Sequence, residues 1–128
     1  MLEDLIENII WQADYFLKES GEFYPFASVI HPSGEIKPLG VLLDKDKPSP
    51  EEVLQELEKV LKIGKNEGFY LAYAICINMS ITEPLSPSHD ALEIRVHLQK
   101  DGDGQIWRIP YIFQEDSREV EYGSFKKV

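Results

Sequence analysis

Arg95, His97 and Arg108 are the residues whose types and spacing best suit chemistry. Arg95 and His97 are two apart in a stretch of alternating apolar residues, so a strand would point both to the same side. Arg108 joins that side if it too avoids the core. Three such donors suit a carboxylate or a phosphate, which a guanidinium grips through its planar fork. Glu93 shares the same strand face and offers a competing outcome, in which carboxylates neutralise the arginines across strands and no pocket forms.

The other chemical signals are weaker. Ser86, Ser88, His89 and Asp90 have the residue types of a hydrolase triad, but triad members converge from separate segments onto a nucleophile beside an oxyanion hole. No Gly-x-Ser-x-Gly turn is present, and Asp90 reads as a loop cap before a strand. Cys76 sits mid-strand among apolar neighbours and reads as a small inert hydrophobe. It becomes a nucleophile only if His97 neighbours it across strands. His31, His89 and His97 lack the paired spacing of a zinc site. Asp101-Gly102-Asp103-Gly104 resembles part of a calcium loop without its third acid and distal glutamate, and a hairpin turn explains it. No glycine-rich phosphate cradle occurs. The sequence therefore predicts no catalytic residue, no metal and no cofactor.

Composition narrows the partners. The chain has 128 residues, 43% hydrophobic and 28% charged, which predicts one globular domain over 1–128. A formal net charge of −10 disfavours nucleic acid and anionic membranes, both of which need clustered Lys and Arg. A single cysteine allows no internal disulfide and suits a reducing compartment. The acidic start lacks the basic and apolar regions of a secretory signal. The longest apolar run, 69–77, is far short of the roughly 20 residues that span a bilayer. A complete cytoplasmic protein is expected.

The elements that must position these residues follow from periodicity. Leu2, Leu5, Ile6, Ile9, Ile10, Ala13, Phe16 and Leu17 predict an amphipathic helix over 2–18, stopped near Gly21. Trp11 and Tyr15 flank the stripe and are expected to cap the core edge. Strands are predicted at 23–30 and 35–43, joined by the turn His31-Pro32-Ser33-Gly34. Ser49, Pro50 and Glu52 form a capping box ahead of a second helix reaching about residue 64, with Val53, Leu54, Leu57, Val60 and Leu61 inward. Further strands are predicted at 69–81, 91–99 and 106–113, with a short last one at 119–125.

The order α-β-β-α-β-β-β(-β) predicts an α+β fold. It is expected to have a single antiparallel or mixed sheet of five to six strands, with both helices on one face. In element order alone it resembles roadblock-type and profilin-like domains, and no residue roles come with that resemblance. Three prolines fall in predicted strands. Pro25 is assigned to a strand entry, Pro38 to a sheet edge and Pro110 to a bulge. The crowded aromatics of Glu22-Phe23-Tyr24-Pro25-Phe26 read as a staple where the first helix meets the sheet. Alternation would put Phe23 and Pro25 on one face, and Tyr24 and Phe26 on the other.

On this reading the sheet keeps an uncovered side. It carries Glu93, Arg95, His97, Arg108, Ile106 and Ile112, with the small face of the third strand, Tyr70, Ala72, Ala74 and Cys76. A mixed, partly apolar surface invites a partner, and a twofold dimer is the commonest closed assembly. The expected function is a non-enzymatic interaction or regulatory domain, homodimeric and of an immunity or adaptor kind, with Tyr70, Ala72, Ala74, Ile106 and Ile112 at its interface. The alternative is a small-anion binder, or a minor enzyme acting on such an anion, using Arg95, His97 and Arg108.

Overall fold

The computed structural model describes residues 2–80, 90–98 and 104–128. Its elements are α1 (Leu2–Ser20), β1 (Phe26–Ile30), β2 (Ile36–Leu39), α2 (Pro50–Asn66), β3 (Ala72–Ser80), β4 (Asp90–His97), β5 (Gln105–Gln114), β6 (Glu119–Tyr122) and β7 (Lys126–Lys127). One sheet runs β2-β1-β3-β4-β5-β6, with β7 also pairing β5, and every pairing is antiparallel. The element order and the α+β class are as the sequence predicts. Among the described residues no helix is long and apolar enough to cross a membrane.

Helix α2 starts where its cap dictates. The Ser49 hydroxyl accepts from the Glu52 amide at 3.2 Å, and the Glu52 carboxylate accepts from the Ser49 amide at 3.1 Å. Lys45 adds an ion pair at 2.8 Å. Lys45 first, and then the Ser49 donors, bring the Glu52 carboxyl down to about 2.

The helices lie on opposite faces of the sheet, which corrects the expectation that both cover one face. Alpha-1 packs on Phe26, Ile30, Ala72, Ala74, Cys76, Leu92, Ile94 and Val96. Alpha-2 packs through Leu57 and Leu61 on Ala27, Val29, Tyr73 and Ile75. The reason lies in the register. Directly opposed residues of an antiparallel pair share a face, and Ala74 opposes Val96 while Cys76 opposes Ile94. The small residues of β3 therefore join the apolar face of β4, and Tyr73, Ile75 and Ile77 join its charged face.

A polar network between α1 and β1, with Gln12 and Ser28 buried and Asn8 half-buried, had no signal in periodicity. The Gln12 amide donates to Asn8 Oδ1 at 2.9 Å and to Ser28 Oγ at 2.7 Å, and Ser28 Oγ donates to Asn8 Oδ1 at 2.6 Å. Among the described residues no buried side-chain polar atom lacks a partner, so this network sets the rotation of α1 on β1 without the cost of an orphaned group. Trp11 and Tyr15, expected to cap the core edge, stand out from it instead, 68% and 55% exposed.

The prolines sort as assigned at two positions. Pro25 precedes β1, and Pro38 lies on the edge strand β2. Around Pro110 the irregularity falls on the neighbouring strand, not on β5. The Pro110 carbonyl accepts from the Gly123 amide at 2.7 Å, so its missing N–H faces the break between β6 and β7 and no bond to β4 is lost. The aromatic staple forms, with Phe23 and Phe26 both against Phe16 at centroid distances of 6.2 and 5.2 Å. Phe23 escapes the alternation rule because it lies before the strand. Tyr24 turns the other way and donates its hydroxyl to the Pro48 carbonyl at 2.8 Å.

Gly64 lies inside α2 rather than at its end, and the Tyr70 ring folds back onto its Cα, where a Cβ would overlap the ring. Gly64→Ala gains about 1 kcal/mol of helix propensity, but overpacking costs about 1–3 kcal/mol. The variant should be net destabilised by about 1 kcal/mol in urea unfolding, whereas an increase in stability would show that Tyr70 yields at no cost.

Candidate functional site

The sheet is wider than α2, and the uncovered strip beside the helix holds the candidate site. Glu58, Lys62 and Lys65 recur at i, i+4 and i+7, which aligns one carboxylate and two ammonium groups along the flank of α2. They face the odd-numbered side of β4 and the even-numbered side of β5. Between them lies a cleft of about 540 Å³, lined by Glu58, Lys62, Lys65, Tyr73, Arg95 and His97, with Asn66, Gly104, Gln105 and Ile106 completing the wall.

Arg95 and His97 thus line one cleft. Arg108 does not line the cleft. Its guanidinium is drawn to Glu93, the residue directly opposite on β4. Glu93 Oε1 accepts from Arg108 Nε at 3.0 Å and Nη2 at 2.9 Å, while Oε2 accepts from Arg95 Nε at 2.9 Å. The Glu93 side chain is only 7% exposed and those of Arg95 and Arg108 are 34% and 42%. One buried carboxylate therefore pairs with both arginines across strands, the competing outcome foreseen from the sequence. Arg95 keeps one further bond, from Nη1 to Glu58 Oε1 at 2.7 Å.

His97 is held by its neighbours. Its ring stacks on Tyr73, the residue opposite on β3, at 4.7 Å between centroids. Gly104 abuts its edge so closely that a Cβ there would lie 2.7 Å from Cε1. Burial is the first cause holding the imidazole below its ordinary 6.5, followed by Lys65; Arg95 and Lys62 add to the effect, and Glu58 opposes it. A neutral ring over an aromatic floor, rimmed by cations, can accept or donate one hydrogen bond to a ligand.

The expected interface residues scatter. Ala72 and Ala74 are wholly buried beneath α1, because register puts them on the face opposite to Arg95. Tyr70 packs beside the α2 core. Ile106 lies in the cleft wall, and Ile112 is half-buried on β5. Cys76 opposes Ile94 and faces α1, on the other side of the sheet from His97, so the two cannot act together. Burial also pushes its thiol up, away from reactivity.

Ser86, Ser88, His89, Asp101 and Asp103 lie outside the described residues, and Asp90 begins β4. Among the described residues, no group of three or more His, Cys, Asp or Glu side chains is placed to hold a metal.

Lys62 and Lys65 escaped the sequence reading. Their spacing was legible, but it signals only a charged helix flank. What makes it a site is α2 lying on the same face as Arg95.

Comparison with protein-family models, with curated proteins and with solved structures finds no match for this chain.

Glu93→Gln should take the carboxylate from Arg108 and leave Arg95 with Glu58 alone, lowering unfolding stability by about 2–3 kcal/mol, modest for a buried pair because the arginines are partly solvated. A loss below about 0.5 kcal/mol in urea titration would place it among neutral surface changes. The depressed His97 contributes stability that is complete above the unfolded imidazole's 6.5 and is lost as pH falls from there through its folded value. His97→Gln should therefore flatten the acid side of the stability profile below the unfolded imidazole's 6.5, and an unchanged slope would reject that assignment.

Proposed function

We propose that this chain is a binding domain for a small anionic ligand, carrying phosphate or carboxylate groups, held in the cleft between α2 and the β4–β5 sheet surface. One observation carries the reading. In a chain of formal charge −10, Lys62, Lys65 and Arg95 converge with His97 on one concavity of about 540 Å³. A general acidic surface does not produce such a cluster, and cations around a walled cleft concentrate the field on whatever anion enters. The aromatic floor of Tyr73 and the apolar wall of Ile106 suit a ligand with a planar or apolar body behind its charged group. The single cysteine suits a cytoplasmic setting for such a ligand.

The test is a thermal-shift and calorimetric panel of inorganic phosphate, pyrophosphate and citrate at low salt. Ligand that binds only the folded state raises the melting temperature, by about 2.7 kcal/mol of stability at a hundredfold excess over Kd. The stabilisation should fall at least about tenfold in apparent affinity in Lys62→Ala/Lys65→Ala. Absence of any shift across the panel, or a shift that survives the double replacement, would overturn the reading.

A second reading, a non-enzymatic interaction domain that pairs with a copy of itself, draws on a different observation. Trp11 and Tyr15 stack at 6.4 Å on the outer face of α1 while remaining 68% and 55% exposed. Exposed aromatics are the side chains that interfaces bury most profitably. Light scattering across a dilution series should then show a dimer that Trp11→Ala dissociates, and a monomer at every concentration would remove it.

A further inference from the structure

The two carboxylates on Arg95 differ in a way that points to how the cleft selects its ligand. Glu93 is nearly inaccessible and carries three donors from two guanidiniums, so moving it would take the carboxylate from Arg108 and one of the two carboxylates from Arg95. Glu58 is 45% exposed, sits on the neighbouring helix, and holds Arg95 through Nη1 at 2.7 Å. An ion pair this open to solvent is weak. Glu58, unlike Glu93, also lines the cleft.

We propose that Glu58 acts as an internal surrogate for the ligand, occupying on Arg95 the position that an incoming anion takes over. This inference rests on the anion-binding reading of the cleft and adds to it a selection rule. Glu93 keeps Arg95 Nε and so holds the guanidinium plane in place, while Nη1 is exchanged from Glu58 to the ligand. Lys62 and Lys65 line the same cleft, so the positive charge beside Arg95 is not confined to its own guanidinium. An entering group must therefore outcompete a carboxylate held on the protein itself, at high effective concentration. A singly charged ion gains too little, even when it has the two oxygens of a carboxylate. A group that brings two negative charges, and oxygens spaced to meet a guanidinium edge and a lysine together, gains enough. The chemical class is a phosphorylated or polycarboxylate small molecule, with pyrophosphate and citrate as simple probes and chloride and acetate as poor ones.

Competition of this kind reduces apparent affinity by the fraction of time that the surrogate leaves the position open. If Glu58 is displaced about one-tenth of the time, its removal raises affinity about tenfold. Glu58→Gln removes the charge and keeps the shape. By calorimetry at low salt, it should bind pyrophosphate about tenfold more tightly than the natural protein, and it should narrow the preference over acetate.

Loss of a nearby negative charge would by itself strengthen any anion, so the displacement is isolated by repeating Glu58→Gln in an Arg95→Lys background. There the gain should shrink to about twofold or less, because the exchanged Nη1 position is gone. Should Arg95→Lys fail to fold, the Arg95 Nε–Hε resonance of the natural protein gives the same answer. It should move on pyrophosphate titration as the guanidinium changes partner, and an unmoved resonance overturns the proposal. So does an equal gain in both backgrounds, or unchanged affinity in Glu58→Gln. If pyrophosphate and citrate bind the natural protein and Lys62→Ala/Lys65→Ala abolishes that binding, these last results remove only the surrogate role of Glu58. If neither anion binds the natural protein or Glu58→Gln, the cleft reading itself falls.

Discussion

Strand β3 is the constraint on which the rest of the molecule depends. It runs through the middle of the sheet and is buried on both faces from Ala72 to Cys76. A strand covered on both sides must divide its side chains between two cores of different depth. Beta-3 does so by size. Ala72, Ala74 and Cys76 lie under α1, and Tyr73 and Ile75 lie under α2. The small residues let α1 approach the sheet closely, where Ala13 and the Asn8–Gln12–Ser28 network meet it. The larger residues fill the space beneath Leu57 and Leu61, each of which contributes roughly 2 kcal/mol by leaving water.

The same division creates the charged cleft. Because the apolar residues of β4 pair with the alanine face of β3, its polar residues must emerge on the α2 side, next to Tyr73 and Ile75. Alpha-2 covers β1 and β3 but leaves β4 and β5 partly open. A carboxylate and two arginines are tolerable there because Glu93 answers both guanidiniums while their outer edges stay wet. The site is thus a by-product of packing geometry: a helix that covers half a sheet leaves a step, and the charges of α2 line its riser.

Local chemistry was readable from single residues where a short-range rule controls the outcome. The Ser49–Glu52 capping box, the amphipathic stripe of α1, the edge position of Pro38 and the aromatic staple around Phe16 each involve neighbours along the chain or a backbone property of one residue. The pairing of Glu93 with Arg95 and Arg108 was also foreseeable, since alternation places like parities on one face once two strands are adjacent. Trp11 and Tyr15 were misjudged because their flanking position on the helix does not say how far the neighbouring sheet extends. Phe23 was misplaced because period two holds only inside a strand, and its strand begins at Phe26.

By itself, then, the sequence determined the order and type of the elements, the burial of Leu92, Ile94 and Val96, and the common strand face of Arg95 and His97. Those properties are set within a few residues, by periodicity and capping. Tertiary structure alone decided which face each helix covers, that Ala72 and Ala74 are buried beneath α1, and that Lys62 and Lys65 meet Arg95 across a cleft. Each of these depends on the register of β3 against β4. A one-residue shift in that register exchanges the two faces of a strand without altering its periodicity, so no pattern within either strand records it.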